Sequence, residues 1–238
     1  MALVSYEAAE GIACIAVHTA AADDRAAQAL GLEAAVRAAC EDDAVKVLLL
    51  SGLVADFTTA EHEARRAVAA VAAAEKPVLC AMDGEVSGLA LEMALAADVR
   101  VAGEGSAFSM PQLLAGDVPS AGGTQRLSRL VGRAKALEML LLGEKLSAPE
   151  AFQIGLVNRV APAGVALGVA RDIAAKIAAK APIAVRYLKE AVLKGLDMPL
   201  EQGLRLEADL YFIIQTTRDR DEGLRAFAEK RPPRFRGE

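Results

Sequence analysis

Along the first hundred residues, short unbroken apolar runs alternate with longer segments whose apolar positions recur every three or four residues. "GIACIAV" (11–17), "AVKVLLLSG" (44–52), "KPVLCAMDG" (76–84) and "VRVAG" (99–103) are aliphatic or β-branched runs closed by glycine or charge, the form of strands buried on both faces. Between them, "QALGLEAAVRAAC" (28–40), "EHEARRAVAAVAAA" (61–74) and "GLALEMALAA" (88–97) carry helical spacing. This alternation predicts an α/β fold with a mostly parallel sheet joined by right-handed crossovers. From residue 122 onward the pattern is helical. Segments over 123–132, 134–143, 147–156, 165–181, 183–195 and 200–217 bear apolar stripes with Gly, Pro or Asn near their ends, and "SAPE" (147–150) is a capping box. "DLYFII" (209–214) is too apolar to lie bare and predicts packing on the core or on a second subunit.

Composition narrows the function classes. The chain has 238 residues, is 54% hydrophobic and 25% charged, and is long enough to bury one ordinary core. A formal net charge of −5 with scattered basic residues offers no broad attraction to nucleic acid or anionic lipid. Small molecules or other subunits are the expected partners. Cys14, Cys40 and Cys80 are odd in number and widely spaced in apolar runs, which reads as small buried residues in a reducing compartment. The N-terminal stretch has no basic region ahead of a continuous apolar run, and no segment reaches the length of a membrane span. A cytoplasmic protein is expected.

The chemistry is sorted first by what is missing. His18 and His62 lie far apart without a Cys or His at ligand spacing, so no metal site is expected. No phosphate-cradling GxxxxGK[ST] and no GxGxxG after a strand occurs. What stands out is a pair of glycine-rich strand-to-helix turns, "DGEVSGLALE" (83–92) and "PQLLAGDVPSAGGTQRL" (111–127). A helix N-terminus presents unpaired N–H groups and partial positive charge, the means to polarise a carbonyl or hold an enolate oxygen. Glu92 sits about one turn along the first of these helices, a lone carboxylate among small and aliphatic residues.

The stretch from "KPVLCAMDGEVSGLALEMALAADVRVAGEGSAFSMPQ" through "AGGTQRLSRLVGRAKALEMLLLGEKLSAPEAFQIGLVNRV", together with "RDRDEGLRAFAEKRPPRFRG" at the C-terminus, resembles the crotonase superfamily of enoyl-CoA hydratases and isomerases. With a looser match through residues 1–52, the resemblance covers most of the chain. It implies a crotonase-like core that spirals through ββα units over residues 1–180. It also implies a C-terminal helical region over 181–238 that makes a homotrimer or a dimer of trimers. An acyl-CoA thioester is the implied substrate, with coenzyme A entering as part of it and no separate cofactor. In that family two backbone N–H groups bind the thioester oxygen and acidic side chains move protons at the α and β carbons.

Carried over residue by residue, the resemblance places Glu92 on the first hydratase glutamate. The second falls on Gln112, in Pro111-Gln112 where hydratases usually read Pro-Glu. A glutamine orients water by hydrogen bonds but neither takes nor gives a proton, which shifts weight toward reactions needing one proton-transfer group. The usual Gly-Gly-Gly before the helix is Gly88-Leu89-Ala90. One oxyanion donor is then the N–H of Leu89, whose side chain disfavours a left-handed backbone and would narrow the acyl site. The other donor falls in "VADFTTAEHEA" (54–64), at Glu61 or, in another register, at Ala55, with Ala60 beside it as a substrate contact. Gly88 and Pro111 would line the substrate site. Arg25 is a candidate phosphate contact, and Phe227 and Lys230 are candidate coenzyme A contacts across a subunit boundary. Asp98 and Arg126 read as a turn residue and an ion pair.

Three readings follow. The first is a hydratase or isomerase of acyl-CoA thioesters with Glu92 as acid/base, Gln112 orienting water or substrate, and the N–H of Leu89 holding the enolate oxygen. The second is a specialised crotonase, such as a decarboxylase or hydrolase of a modified acyl thioester. The third is a catalytically inactive acyl-CoA-binding trimer.

Overall fold

A computed structural model describes residues 2–53 and 61–238, with Glu61 described by its backbone. The strands are β1 (Val4–Ala9), β2 (Ile12–Val17), β3 (Val47–Ser51), β4 (Val78–Met82), β5 (Glu85–Ser87), β6 (Val99–Gly103), β7 (Ala107–Ser109), β8 (Leu146–Ser147) and β9 (Arg159–Ala161). The helices are α1 (Arg25–Glu41), α2 (Glu61–Ala73), α3 (Leu89–Ala96), α4 (Gly123–Val131), α5 (Arg133–Leu142), α6 (Ala148–Gln153), α7 (Ala166–Ala178), α8 (Pro182–Gly195), α9 (Leu200–Gln215) and α10 (Arg218–Ala228).

A six-stranded sheet runs β1-β2-β3-β4-β6-β9, and a smaller one runs β5-β7-β8. In the larger sheet β1 and β2 are antiparallel and every other pair is parallel. The four apolar runs of the sequence form β2, β3, β4 and β6, in the expected parallel arrangement. Alternation along β3 divides the core: Leu48 and Leu50 face the larger cluster packed with α1, α2 and α3, while Val47 and Leu49 face α7. The α7 face is built from Ala166, Ala170, Ala174 and Ala178, all buried, and this small-residue stripe at four-residue spacing lets the helix lie close against the sheet.

Several elements escape the apolar pattern. β1 is mostly exposed and is held as an edge by a two-residue turn, Glu10-Gly11, with φ of 53° and 80°, the positive-φ pair that a tight hairpin uses. β5, β7 and β8 have only two or three residues each. The capping box at Ser147 forms, with the Ser147 N–H donating to Glu150 Oε2 at 3.0 Å. Cys80 is buried, which pushes its thiol up to about 12; Cys14 and Cys40 are only half-buried, because each lies at the margin of its packed layer.

Two polar clusters tie helices to this frame. Glu33, buried on α1, pairs with Arg37 at 2.9 Å and with Arg66 of α2 at 3.0 Å. Asp98, after α3, accepts from the Val78 N–H at 2.7 Å and pairs with Lys189 of α8 at 2.7 Å, so it serves as both turn residue and ion-pair partner. α9 leaves Tyr211 and Phe212 open. Its "DLYFII" segment therefore buries only Leu210 within one protomer.

Candidate active site

The first glycine turn builds the start of α3. Gly88 takes φ 56° and ψ −128°, a region closed to side-chain-bearing residues, and its N–H donates to Ser109 O at 3.1 Å. The left-handed residue of the turn is thus Gly88, and Leu89 begins the helix with an ordinary negative φ. As the first helical residue, Leu89 has no intrahelical acceptor for its N–H. α3 is apolar on every face, and Leu89 through Leu95 are all buried.

Glu92 is the polar exception, with 0% exposure. A buried carboxylate needs hydrogen-bond donors, and the second glycine turn supplies them. The N–H groups of Ala121 and Gly123 each donate to Oε2 at 2.7 Å, and the Ser120 N–H donates to Oε1 at 3.3 Å. Gln112 Nε2 donates to Oε1, also at 3.3 Å. The two glycine-rich segments noted in the sequence therefore meet at one carboxylate, α3 bringing the acid and the loop before α4 bringing the donors.

Both glycines of that loop have a steric reason. Gly122 has φ 98°, and a Cβ there would strike Arg126 Nη1, which donates to Ala121 O at 2.8 Å. Arg126 so clamps the donor loop, with no direct ion pair among the described residues; burial draws its guanidinium below the ordinary value while the nearby Glu92 charge acts the other way. A Cβ on Gly123 would meet Pro119 Cβ at 2.9 Å and Glu92 Cγ and Cδ at 3.0 Å. Gly123→Ala is accordingly expected to cost about 1–3 kcal/mol of stability through overpacking and to displace the carboxylate. A thermal melt with parallel kinetics checks this, and an unchanged melt and rate would show that the loop yields freely.

Beside Glu92 lies a cavity of about 240 Å³ whose described lining includes Gly88, Leu89, Pro111, Gln112, Asp117 and Ser120. Gln112 opens a single turn of 3₁₀ helix over Gln112–Ala115. Its Nε2 faces Glu92, which fixes the amide orientation, since the reverse would oppose two oxygens. Among the described residues Oε1 is buried without a partner. Gln112 also covers Glu92, so access to Oε1 requires the long 3.3 Å contact to open.

The structure thus brings Glu92, Gln112, Leu89, Gly88 and Pro111 together. Arg25, half-buried at the start of α1, is not among the lining residues of this cavity. Phe227, 87% exposed on α10, and Lys230, just past that helix with φ 53°, are likewise outside it. Ala55 and Ala60 lie outside the described residues, and Glu61 is placed only as the first residue of α2. Asp117, in the cavity wall, is not picked out by the sequence, where it is one polar residue within the second glycine-rich segment. Among the described residues no group of three or more His, Cys, Asp or Glu side chains could hold a metal ion, and no helix is long and apolar enough to cross a membrane.

Comparison with known proteins places this geometry. Residues 13–238 match the family described as enoyl-CoA hydratase/isomerase. A crystal structure of enoyl-CoA hydratase from Bacillus anthracis superposes with a TM-score of 0.92 at 32% identity, covering 100% of both chains. Among curated proteins, 2,3-dehydroadipyl-CoA hydratase of Escherichia coli is 41% identical over 162 residues, 68% of this chain and 64% of that protein. The crotonyl-CoA hydratase of Syntrophomonas wolfei is 34% identical over 224 residues, 87% of this chain and 86% of its own length. The chain spans less than two thirds of the length of the E. coli relative in that match. The fold is that of the crotonases, with helices at the C-terminal end, and the chain belongs to the enoyl-CoA hydratase/isomerase family.

Proposed function

We propose that the protein hydrates the double bond of a 2-enoyl-CoA thioester, with Glu92 as the base. The observation that carries this reading is the fully buried Glu92 carboxylate, held by three backbone N–H groups against a cavity that begins at the N-terminus of α3. The N–H of Leu89, free of intrahelical bonding, takes the thioester oxygen as charge develops there, and the positive end of α3 adds to that stabilisation. The second oxyanion donor in this reading is the N–H of Glu61 or, in the other register, that of Ala55. A water enters as the long Gln112–Glu92 contact opens, donating one O–H to Glu92 and the other to the unpartnered Oε1 of Gln112. These two acceptors orient the water's lone pair at the β carbon, which is positional catalysis. Coenzyme A enters only as part of the substrate.

The functional unit is proposed to be a homotrimer or a dimer of trimers. Leu188 of α8 and Leu200, Tyr211 and Phe212 of α9 are all exposed, and large apolar side chains left open on two packed helices are what a subunit interface would cover. In such an assembly Phe227 and Lys230 reach coenzyme A on a neighbouring protomer, and Arg25 contacts a phosphate.

Gln112 favours one second reading, a reaction that needs a single proton-transfer group, such as double-bond isomerisation or decarboxylation of a modified acyl thioester. Following the conjugated enoyl-thioester absorbance separates them. Loss of absorbance from crotonyl-CoA supports hydration, whereas a gain from a 3-enoyl-CoA without loss from crotonyl-CoA supports isomerisation and rejects the hydratase.

A further inference from the structure

Hydration moves two protons, one away from water and one onto the α carbon, and Gln112 can carry neither. The described lining of the Glu92 cavity contains one other ionisable side chain, Asp117. Its place follows from the same turn that presents Gln112: the Asp117 N–H donates to Gln112 O at 3.1 Å, and Gly116, with φ 75°, reverses the chain between them. Asp117 Oδ1 accepts from the Val118 N–H at 2.7 Å. Oδ2 meets no donor among the described residues. One oxygen anchors the side chain to its own loop and the other is left for a ligand. The residue is also exposed, so it exchanges protons with solvent, which the covered Glu92 cannot do directly.

We propose that Asp117 is a catalytic residue, the second proton-transfer carboxylate of this site, in place of the acid that Gln112 lacks. The proposal rests on the hydratase reading. In the forward step the water oxygen bonds to the β carbon while Glu92 takes one of its protons, and the double-bond electron pair moves through the α carbon onto the thioester oxygen. As that enolate collapses, Asp117 in its acid form gives its proton to the α carbon. Solvent then returns a proton to Asp117, and the next water to enter past the opened Gln112–Glu92 contact carries the proton away from Glu92, so the net change is the addition of one water. The division of labour fits the bonding: Glu92, an acceptor to four N–H groups, is the base, and Asp117, open to bulk water, is the replenished acid.

Asp117→Asn keeps the acceptor for the Val118 N–H and removes only the transferable proton. With crotonyl-CoA, kcat is expected to fall by roughly 10²-fold or more, with KM changed only a few-fold, the usual scale for a lost general acid. The double variant Asp117→Asn/Gln112→Glu, which returns a carboxylate to the same cavity, is expected to recover activity to within about tenfold of the original. A role in shaping the loop alone would not be rescued in this way. Full activity in Asp117→Asn, with Glu92→Gln inactive, overturns this assignment and leaves the hydratase reading standing. Activity lost in Asp117→Asn and unrestored by Gln112→Glu overturns it too, marking Asp117 as structural. No turnover of crotonyl-CoA by the original protein overturns the hydratase reading and this one with it.

Discussion

Glu92→Gln is expected to lower kcat for enoyl-thioester hydration by roughly 10²- to 10⁴-fold, the contribution of a positioned acid/base, with little change in KM. The variant preserves side-chain volume on a helix where every neighbour is buried, so loss of rate is not a packing effect. It has a second consequence that follows from the donor geometry. Ala121 and Gly123 direct their N–H groups at Oε2, and Ser120 and Gln112 direct theirs at Oε1. An amide offers one oxygen, so at one end its NH₂ faces other donors, and about 1–3 kcal/mol of stability is expected to go with it. Steady-state kinetics paired with a thermal melt separates the two effects. A variant that melts lower yet keeps its rate within tenfold would remove Glu92 from the chemistry and leave it as the pin that holds the loop before α4.

That pairing of roles explains why part of the site can be read from sequence. A lone carboxylate one turn beyond a glycine turn, in an otherwise apolar helix, has few structural uses, and a second glycine turn downstream implies a backbone folded close to something. Both signals are local. Asp117 gives no such signal: it becomes a cavity residue only because Gly116 reverses the chain after a single turn of 3₁₀ helix, a tertiary placement that periodicity does not encode. The fold divides in the same way. β2, β3, β4 and β6 are buried on both faces and so are written as continuous apolar runs, whereas β1 is an exposed edge whose register is set by two positive-φ residues at Glu10 and Gly11. β5, β7 and β8 are too short for any alternation to develop. Leu89 disfavours a left-handed backbone, and the positive φ falls one residue earlier, on Gly88, where the missing side chain makes it cheap.

Arg100→Met is expected to reduce folding stability by about 3–5 kcal/mol, the largest change of stability argued from this structure. Arg100 lies on β6 with 4% exposure, and burial draws its guanidinium below the ordinary value. Among the described residues no carboxylate meets it directly. Instead Nε donates to Leu156 O at 2.7 Å, and Nη1 donates to Ala97 O at 2.7 Å and to Ala94 O at 3.4 Å. Ala94 and Ala97 are at the C-terminal end of α3, where the last carbonyls of a helix lack partners and carry partial negative charge. The cation is therefore a cap for the helix that bears Glu92, and it ties that cap to the loop before β9 through Leu156. Methionine fills much of the space but donates to none of the three carbonyls, leaving buried acceptors unmatched, and relief of the buried charge offsets only part of that. Lysine, a point charge without the planar fork, is expected to rescue incompletely. Chemical denaturation checks the magnitude, and a loss under about 1 kcal/mol would show that α3 needs no cap from β6. Because α3 carries Glu92 at one end of this arrangement and is fastened at the other, the variant is also expected to lower kcat under conditions where it remains folded, without any contact between Arg100 and substrate.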